Sequence, residues 1–261
     1  PQISAVTAQR LRDAEGFKVV SPYTEQRFIA MAMDREPFDD NRVRLAFKYC
    51  MDPETLASAC LGTLGESIFY NETAIANQLA QYMEIPFRGQ DYDRARELLA
   101  EAGYPEGVEV EFHYASDHPY GTEIAQTLKE LAAPAGFDLQ LQGSTRDIYL
   151  STYWMDAPLL LTGWGVRVDP SMLLSLAYHS KGPWNESHMN IPEVDMLIDK
   201  IKAEVDDDQR MEYYHELQVI MHERGTVINL QVPYLVGLSD ELMDYRQPVT
   251  MVAQMKYAYI E

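Results

Sequence analysis

Residues 107–162 read "GVEVEFHYASDHPYGTEIAQTLKELAAPAGFDLQLQGSTRDIYLSTYWMDAPLLLT", and this stretch decides the fold class. Strand patterns, recognised by apolar alternation or by a short continuous apolar run, cover residues 107–114, 137–142 and 157–162. Helical spacing of apolar residues covers 120–133 and 145–155. The order strand, helix, strand, helix, strand predicts an α/β domain with an at least partly parallel sheet.

Further elements are predicted on both sides of this stretch. Amphipathic helices are predicted at residues 40–51, from Pro53, at 91–102, near 171–178, at 193–203 and at 207–222. Residues 225–239 predict one or two strands, and the tail 245–261 is strand-like with loops. No internal repeat or low-complexity segment occurs in the sequence.

Composition narrows the classes of function. The 261 residues are 46% hydrophobic and 24% charged, which is typical of a folded globular protein, and no apolar run approaches the roughly 20 residues that span a bilayer. The formal net charge of -20 disfavours nucleic acid as a partner. Cys50 and Cys60 are predicted to be buried thiols, with a disulfide as the alternative.

Two loops are the candidate binding site. Ligands of open α/β sheets bind beyond the carboxyl ends of the strands, and residues 115–121 and 163–170 each follow such an end. No catalytic motif, nucleotide-binding motif or metal-ligating spacing occurs, so neither an enzyme nor a cofactor is predicted.

The loop "GWGVRVDP", residues 163–170, carries four candidate ligand residues. Trp164 offers an apolar face, Gly165 allows close approach of a ligand, and the Arg167 guanidinium suits a carboxylate. For Trp164 the alternative is a core tryptophan, and for Arg167 it is a surface ion pair. Asp169 before a proline is either a ligand contact or the N-cap of the next helix.

Three further residues are weaker candidates for ligand contact. His118 and Tyr120 lie in the loop 115–121, and their alternative role is to begin a helix. Asn185 lies in the long polar loop after the candidate site.

Four segments in order resemble the extracytoplasmic solute-binding proteins of family 5, the peptide-binding components of ABC importers. They are "PFDDNRVRLAFKYCMDPETL", "YDRARELLAEAGYPEGVEVEF", "GWGVRVDP" and "NIPEVDMLIDKIKAEVDDDQRMEYYHELQVIM". With the residues between them they cover nearly the whole chain.

The resemblance implies a periplasmic-binding-protein-like type II architecture, of which the chain is the C-terminal portion. Residues 1–30 would cross from the first lobe, 31–226 would form the distal α/β ligand-binding lobe with a mixed sheet flanked by helices, and 227–261 would return strands to the first lobe. The missing half would carry the export signal.

The implied function is capture of a peptide or related carboxylate-bearing solute between two lobes and its delivery to a membrane permease. The implied protein is a monomer that is periplasmic or extracytoplasmic, either free or tethered to the membrane as a lipoprotein. A non-transport signalling or scaffold protein with the same fold is the alternative, and a cleft filled by Trp164 and Tyr120 would favour it.

The resemblance also bears on single residues. Trp164 matches the tryptophan that follows the buried strand in the family, and Asp169 with Pro170 matches the following Asp-Pro. Many peptide binders have an acid three positions after that tryptophan, where it holds the peptide's amino group. Arg167 stands there in this chain, which favours a ligand carboxylate instead.

Overall fold

The structure is a computed structural model that describes residues 3–21, 25–64, 67–233, 235–243 and 259–260. The helices are α1 (Ala5–Arg12), α2 (Asn41–Lys48), α3 (Pro53–Leu61), α4 (Tyr92–Glu101), α5 (Gly121–Ala132), α6 (Arg146–Ile148), α7 (Pro170–Ala177), α8 (Pro192–Ala203) and α9 (Asp207–Arg224). The strands are β1 (Phe17–Val20), β2 (Glu25–Met31), β3 (Phe69–Asn71), β4 (Val108–Ala115), β5 (Phe137–Ser144), β6 (Leu159–Gly165), β7 (Val227–Gln231), β8 (Val236–Ser239), β9 (Leu242–Met243) and β10 (Tyr259–Ile260).

Six strands form one mixed sheet in the order β3-β7-β2-β6-β4-β5. The strands β4, β5 and β6 are parallel, whereas β2, β3 and β7 pair antiparallel with their neighbours. Helices cover both faces, so the predicted α/β class with a mixed sheet is confirmed. The parallel strands β4, β5 and β6 all lie within residues 108–165.

Side chains of β6 alternate between two hydrophobic cores. Leu159 and Leu161 face a core with α2, α3, α4 and α5, while Leu160 and Trp164 face a second core with α7, α8 and α9. A strand buried on both faces needs apolar residues throughout, which explains the continuous apolar run in its sequence.

Two predictions within the parallel half require correction. The strand predicted to end near Thr162 continues to Gly165, because Glu25 to Arg27 of β2 pair with Gly163 to Gly165. The helix predicted at residues 145–155 is the single turn α6 followed by a π-helical turn, Tyr149–Tyr153. The other helices predicted from residue 40 onward are confirmed, and most of the predicted tail lies outside the described residues.

The strands β2 and β7 belong to the six-stranded sheet. The lobe boundary expected between residues 30 and 31 falls inside β2, and the return segment expected from residue 227 begins with β7. The strands β1 and β8 form a separate antiparallel pair, against which α1 packs.

Within the described ranges no helix is both long and apolar enough to cross a membrane. Cys50 and Cys60 are both buried free thiols, as predicted.

One face of α2 holds the C-terminal end of α9. Asn41, Arg44 and Lys48 donate hydrogen bonds to main-chain carbonyls of the last turn of α9. The last carbonyls of an α-helix lack partners in a following turn, and positive charge at a helix C-terminus is favourable. Among these carbonyls, that of Met221 also accepts from the Gly225 main-chain N–H at 2.8 Å.

A buried charge network adjoins this contact. The Glu72 carboxylate lies 3.4 Å from Lys48 Nζ, 3.1 Å from Arg88 Nη2 and 3.3 Å from His222 Nδ1, and it accepts a hydrogen bond from the Tyr70 hydroxyl at 3.0 Å. The Glu72 and Lys48 side chains are almost completely inaccessible to solvent. Each charge is therefore compensated by direct contact rather than by water.

Candidate functional site

A cleft opens at the carboxyl ends of the three parallel strands. Its lining comes from β2 (Arg27), from the end of β4 and the loop into α5 (Ala115, His118, Pro119, Gly121), from the segment after β5 (Arg146, Tyr149, Leu150) and from β6 (residues 161–163). Below, "the cleft" refers to this site.

The cleft forms where β4 and β6 separate. The last paired residues are Tyr114 and Leu161, after which β6 continues beside β2 alone. The Arg146 main-chain N–H donates to the Asp117 carboxylate at 2.8 Å and so connects the loops that follow β4 and β5. The strand ends and both loops therefore border one opening.

Arg27 is a buried cation at the base of the cleft. Its guanidinium forms an ion pair with Glu25 at 2.6 Å and donates to the Pro119 carbonyl at 3.3 Å. Arg27 lies opposite Gly163 in the sheet, where an added Cβ would be 2.3 Å from Arg27 Nη1. The missing side chain at residue 163 thus gives the guanidinium its space.

His118 contacts the same guanidinium. Its Nδ1 lies 2.6 Å from Arg27 Nη2, and its Nε2 lies 3.1 Å from Arg27 Nη1. Burial and the positive charges of Arg27 and Arg146 lower the pKa of His118 to about 4. The imidazole is therefore neutral at neutral pH, and the positive charge of the cleft comes from arginine.

We expect the His118 titration to depend on Arg27. In the unsubstituted chain its ring resonances should titrate near pH 4, and Arg27→Met should raise the pKa because it removes the nearest positive charge. NMR titration of the His118 ring measures this directly. Arg35→Met, a change at an arginine outside the cleft, is the control and should leave the His118 titration unchanged.

The lowered pKa of His118 also determines how the free energy of unfolding should change with pH. A histidine with a pKa below the ordinary value of about 6.5 favours the folded state at higher pH. As the pH falls from about 6.5 to about 4, the unfolded chain binds the proton first, so the contribution of His118 to stability is lost across this window. An Arg27→Met chain should lose less stability between these pH values than the unsubstituted chain.

Arg146 provides an exposed cation at the edge of the cleft. Its guanidinium forms no hydrogen bond or ion pair with any side chain in the described part of the chain. Next to it, Tyr149 and Thr162 provide hydroxyl-bearing side chains at the cleft. The cleft thus combines one compensated buried arginine with one arginine that is available to an anion.

The sequence-predicted residues of the strand β6 and its following loop lie away from this cleft. Trp164 is buried in the second core, where its indole N–H donates to the Glu186 carboxylate at 2.9 Å and its ring lies 5.6 Å from that of Trp184. Gly165 ends β6 opposite Glu25. Arg167 is exposed and does not line the cleft.

The remaining predicted residues have local partners or face a neighbouring depression. Asp169 is the N-cap of α7 and accepts hydrogen bonds from the Ser171 main-chain N–H at 2.9 Å and the Tyr214 hydroxyl at 3.1 Å. Asn185 makes two hydrogen bonds with the main chain of Met189. Tyr120, with a left-handed φ of 62°, lines an open depression next to the cleft. Of the seven predicted residues, His118 alone lines the cleft.

Sequence reasoning missed Arg27 and Arg146. Arg146 follows the carboxyl end of β5, so applying the strand-end rule to all three parallel strands would have found it. The position of Arg27 at the cleft depends on the register in which β2 pairs with β6, and the local sequence pattern does not predict that register. Across the described segments, no group of three or more His, Cys, Asp or Glu residues is arranged to hold a metal ion.

Comparison with known proteins gives consistent results. The sequence profile described as "Bacterial extracellular solute-binding proteins, family 5 Middle" matches residues 1–185. Heme-binding protein A of Haemophilus influenzae is 26% identical over 221 residues, which are 81% of this chain and 40% of that protein. Glutathione-binding protein GsiB of Salmonella choleraesuis is 24% identical over 238 residues, 84% of this chain and 44% of that protein.

A solved structure shares the fold. The crystal structure of a putative peptide-binding protein AppA from Clostridium difficile superposes with a TM-score of 0.86 at 14% identity, covering 100% of this chain and 56% of that one. The chain thus spans about half the length of the proteins it matches. The family consists of binding proteins, which confirms the prediction that the chain is not an enzyme. More than half of the chain matches the profile, and the chain belongs to the bacterial extracellular solute-binding proteins of family 5.

Proposed function

We propose that this chain is part of the substrate-binding component of an ABC importer and that it captures a peptide or related small solute that bears a carboxylate. The observation that carries the proposal is the cleft at the carboxyl ends of β4, β5 and β6, with Arg27 and Arg146 on its border. Relatives named for binding glutathione and heme support a carboxylate-bearing ligand in general terms.

Charge supports the same ligand class. A chain with a formal net charge of -20 disfavours anions in general, yet the Arg146 guanidinium, which has no side-chain partner among the described residues, lies at this cleft. Arginine presents a planar set of donors that matches a carboxylate. We therefore assign the carboxylate contact to Arg146, whereas the sequence alone favoured Arg167.

The domain division that we propose follows the sheet. Residues 25–233 would form the distal lobe, because β2 and β7 complete its six strands. The segment with α1 and β1, and the segment from β8 onward, would belong to the first lobe. Ligand would bind between the lobes, and a membrane permease would receive it from a monomeric, periplasmic or extracytoplasmic protein, either free or tethered as a lipoprotein.

Thermal stability in the presence of ligand tests the proposal. Ligand raises the free energy of unfolding by RT ln(1 + [L]/Kd). Trialanine and its C-terminal amide differ only in the carboxylate, so the acid should stabilise the chain more than the amide. Arg146→Ala should weaken acid binding by about tenfold or more, as expected when a hydrogen bond to a charged group is lost.

The same substitution at Arg167 provides the comparison. Arg167→Ala should leave the preference for the acid intact, because Arg167 lies outside the cleft. If Arg167→Ala removes the preference and Arg146→Ala does not, the carboxylate contact belongs to Arg167. If neither acid nor amide stabilises the chain at millimolar concentration, the proposal is wrong for this class of ligand.

One observation favours a second candidate, a signalling or scaffold protein that retains the fold without transport. Trp164 is buried in the second core of this chain rather than open to a ligand, and little of Tyr120 is exposed, although it borders the depression next to the cleft. Under this alternative, neither peptides nor other small carboxylates would stabilise the chain, and a partner protein would do so instead.

A further inference from the structure

Glu186 is a buried carboxylate behind the cleft with two indole donors. Trp164 Nε1 donates to its Oε1 at 2.9 Å, and Trp154 Nε1 donates to its Oε2. Glu186 is 1% exposed, and none of the cationic side chains described forms an ion pair with it. Its two oxygens are therefore compensated mainly by two neutral N–H groups.

The two tryptophans belong to two different segments of the chain that border the cleft. Trp164 lies on β6 immediately after Gly163, which lines the cleft. Trp154 follows the π-helical turn that carries Tyr149, and its main-chain N–H donates to the Tyr149 carbonyl at 2.9 Å. That turn continues directly from α6, where Arg146 is located. One carboxylate thus connects the segment with the exposed arginine to the strand opposite it.

The loop that carries Glu186 is itself fixed. The Ser187 carbonyl accepts a hydrogen bond from the Met33 main-chain N–H at 2.8 Å, and the Ser187 hydroxyl accepts one from the Thr226 hydroxyl at 2.7 Å. Both partners lie next to ends of the central strands β2 and β7. The loop that carries Glu186 is therefore held by hydrogen bonds to residues next to the ends of two central strands.

A carboxylate at this position is costly. Burial raises the pKa of Glu186, and the hydrogen bonds from Trp164, Trp154 and Thr162 offset only part of that effect. An uncharged residue would avoid the cost, but an amide has only one acceptor oxygen for two N–H donors. The two indole donors therefore account for a side chain with two acceptor oxygens at this position.

We propose that Glu186 is a positioning residue for the cleft, which holds the α6 segment with Arg146 against β6 through Trp154 and Trp164. The effect on ligand binding rests on the proposed function, whereas the connection between the two segments does not. Glu186 is not proposed to touch the ligand.

The three tryptophans of the chain provide a matched test. Trp154→Phe removes the N–H donor and keeps an aromatic ring, and Glu186→Gln removes one acceptor. Trp184→Phe is the control, because the Trp184 ring packs at a tilt against that of Trp164. Its indole N–H donates no hydrogen bond to Glu186, and its main-chain carbonyl, which accepts from the Glu186 N–H at 2.9 Å, is unaffected by the substitution. Amide hydrogen exchange of residues 146–153 is measured without ligand, and the relative affinity for trialanine and its amide is measured for each chain.

We expect exchange in residues 146–153 to become about tenfold faster in Trp154→Phe and Glu186→Gln, and to stay unchanged in Trp184→Phe. We also expect both variants to reduce the acid-over-amide preference about tenfold, because a displaced guanidinium loses its geometry toward a carboxylate. A purely structural residue would lower the affinity for both peptides equally.

Each result decides a separate point. If hydrogen exchange in residues 146–153 is unchanged in both variants, the proposal is overturned whatever the peptide affinities are. The proposal is also overturned if exchange becomes faster but the acid-over-amide preference of the unsubstituted chain is retained in the variants. If the unsubstituted chain shows no such preference, the proposed function fails instead. The exchange rates then still decide whether Glu186 connects the two segments.

Discussion

Glu72→Gln is expected to lower the free energy of unfolding by about 3–5 kcal/mol. The carboxylate contacts Lys48, Arg88 and His222 in a region that excludes water. Removing one partner of a buried ion pair leaves the other charges uncompensated, and this costs more than the intact pair contributes. Urea denaturation at neutral pH measures the difference.

The control for this prediction is Glu97→Gln. Glu97 also forms an ion pair, at 3.0 Å from Arg94, but both side chains are largely exposed. Its loss should cost no more than about 0.5 kcal/mol. Equal losses from the two substitutions would show that the buried network is not the source of the effect.

The buried charge network around Glu72 also predicts how stability changes with pH. Burial alone would raise the pKa of Glu72, but Lys48 and Arg88 hold the pKa below its ordinary value. A carboxylate with a lowered pKa contributes stability above its ordinary pKa and loses it as the pH falls through the value in the folded chain. The Glu72→Gln chain should therefore lose less stability in acid than the unsubstituted chain.

Gly163→Val is expected to cost about 2 kcal/mol, although valine is normally favoured in strands. An added Cβ would lie 2.3 Å from Arg27 Nη1 and 2.9 Å from Glu25 Oε1. The guanidinium would have to leave its partners Glu25 and His118, and these groups are poorly accessible to water. Thermal or urea unfolding measures the loss.

A double-mutant cycle separates this effect from ordinary strand propensity. In a chain that already carries Arg27→Met, Gly163→Val should cost less than about 1 kcal/mol, because the displaced ion pair is already absent. The same cost in both backgrounds would mean that Arg27 does not determine the effect. The cycle thus tests whether glycine at 163 serves the cation beside it.

Local patterns predicted the elements well but not the long-range register. The alternation in residues 107–114 and the apolar run in 157–162 correspond to β4 and β6, because these strands are defined by their own side chains. The extension of β6 to Gly165 depends on pairing with Glu25 to Arg27, which lie far away in sequence. Trp164 was therefore expected in a loop and is found in a strand.

The site was predicted by location more than by residue. The rule that ligands bind beyond strand ends led to the end of the sheet at which the cleft lies, and it included His118, which lines that cleft. Arg167 was singled out because its charge was conspicuous in the sequence. The arginines at the cleft are instead Arg27 and Arg146, because the pairing of β2 with β6 and the turn after β5 bring them there.

The central position of β2 has a consequence for how the chain acquires its structure. Ala30 pairs with Leu160 on one side and Val227 on the other, so the middle of the sheet requires both an early and a late part of the sequence. During synthesis on a ribosome β2 cannot pair on both sides until β7 has emerged, because β7 is the last of the six strands of this sheet along the chain. Pairings this distant in sequence slow folding, so the lobe should assemble after β7 has been released rather than progressively from its N-terminal end.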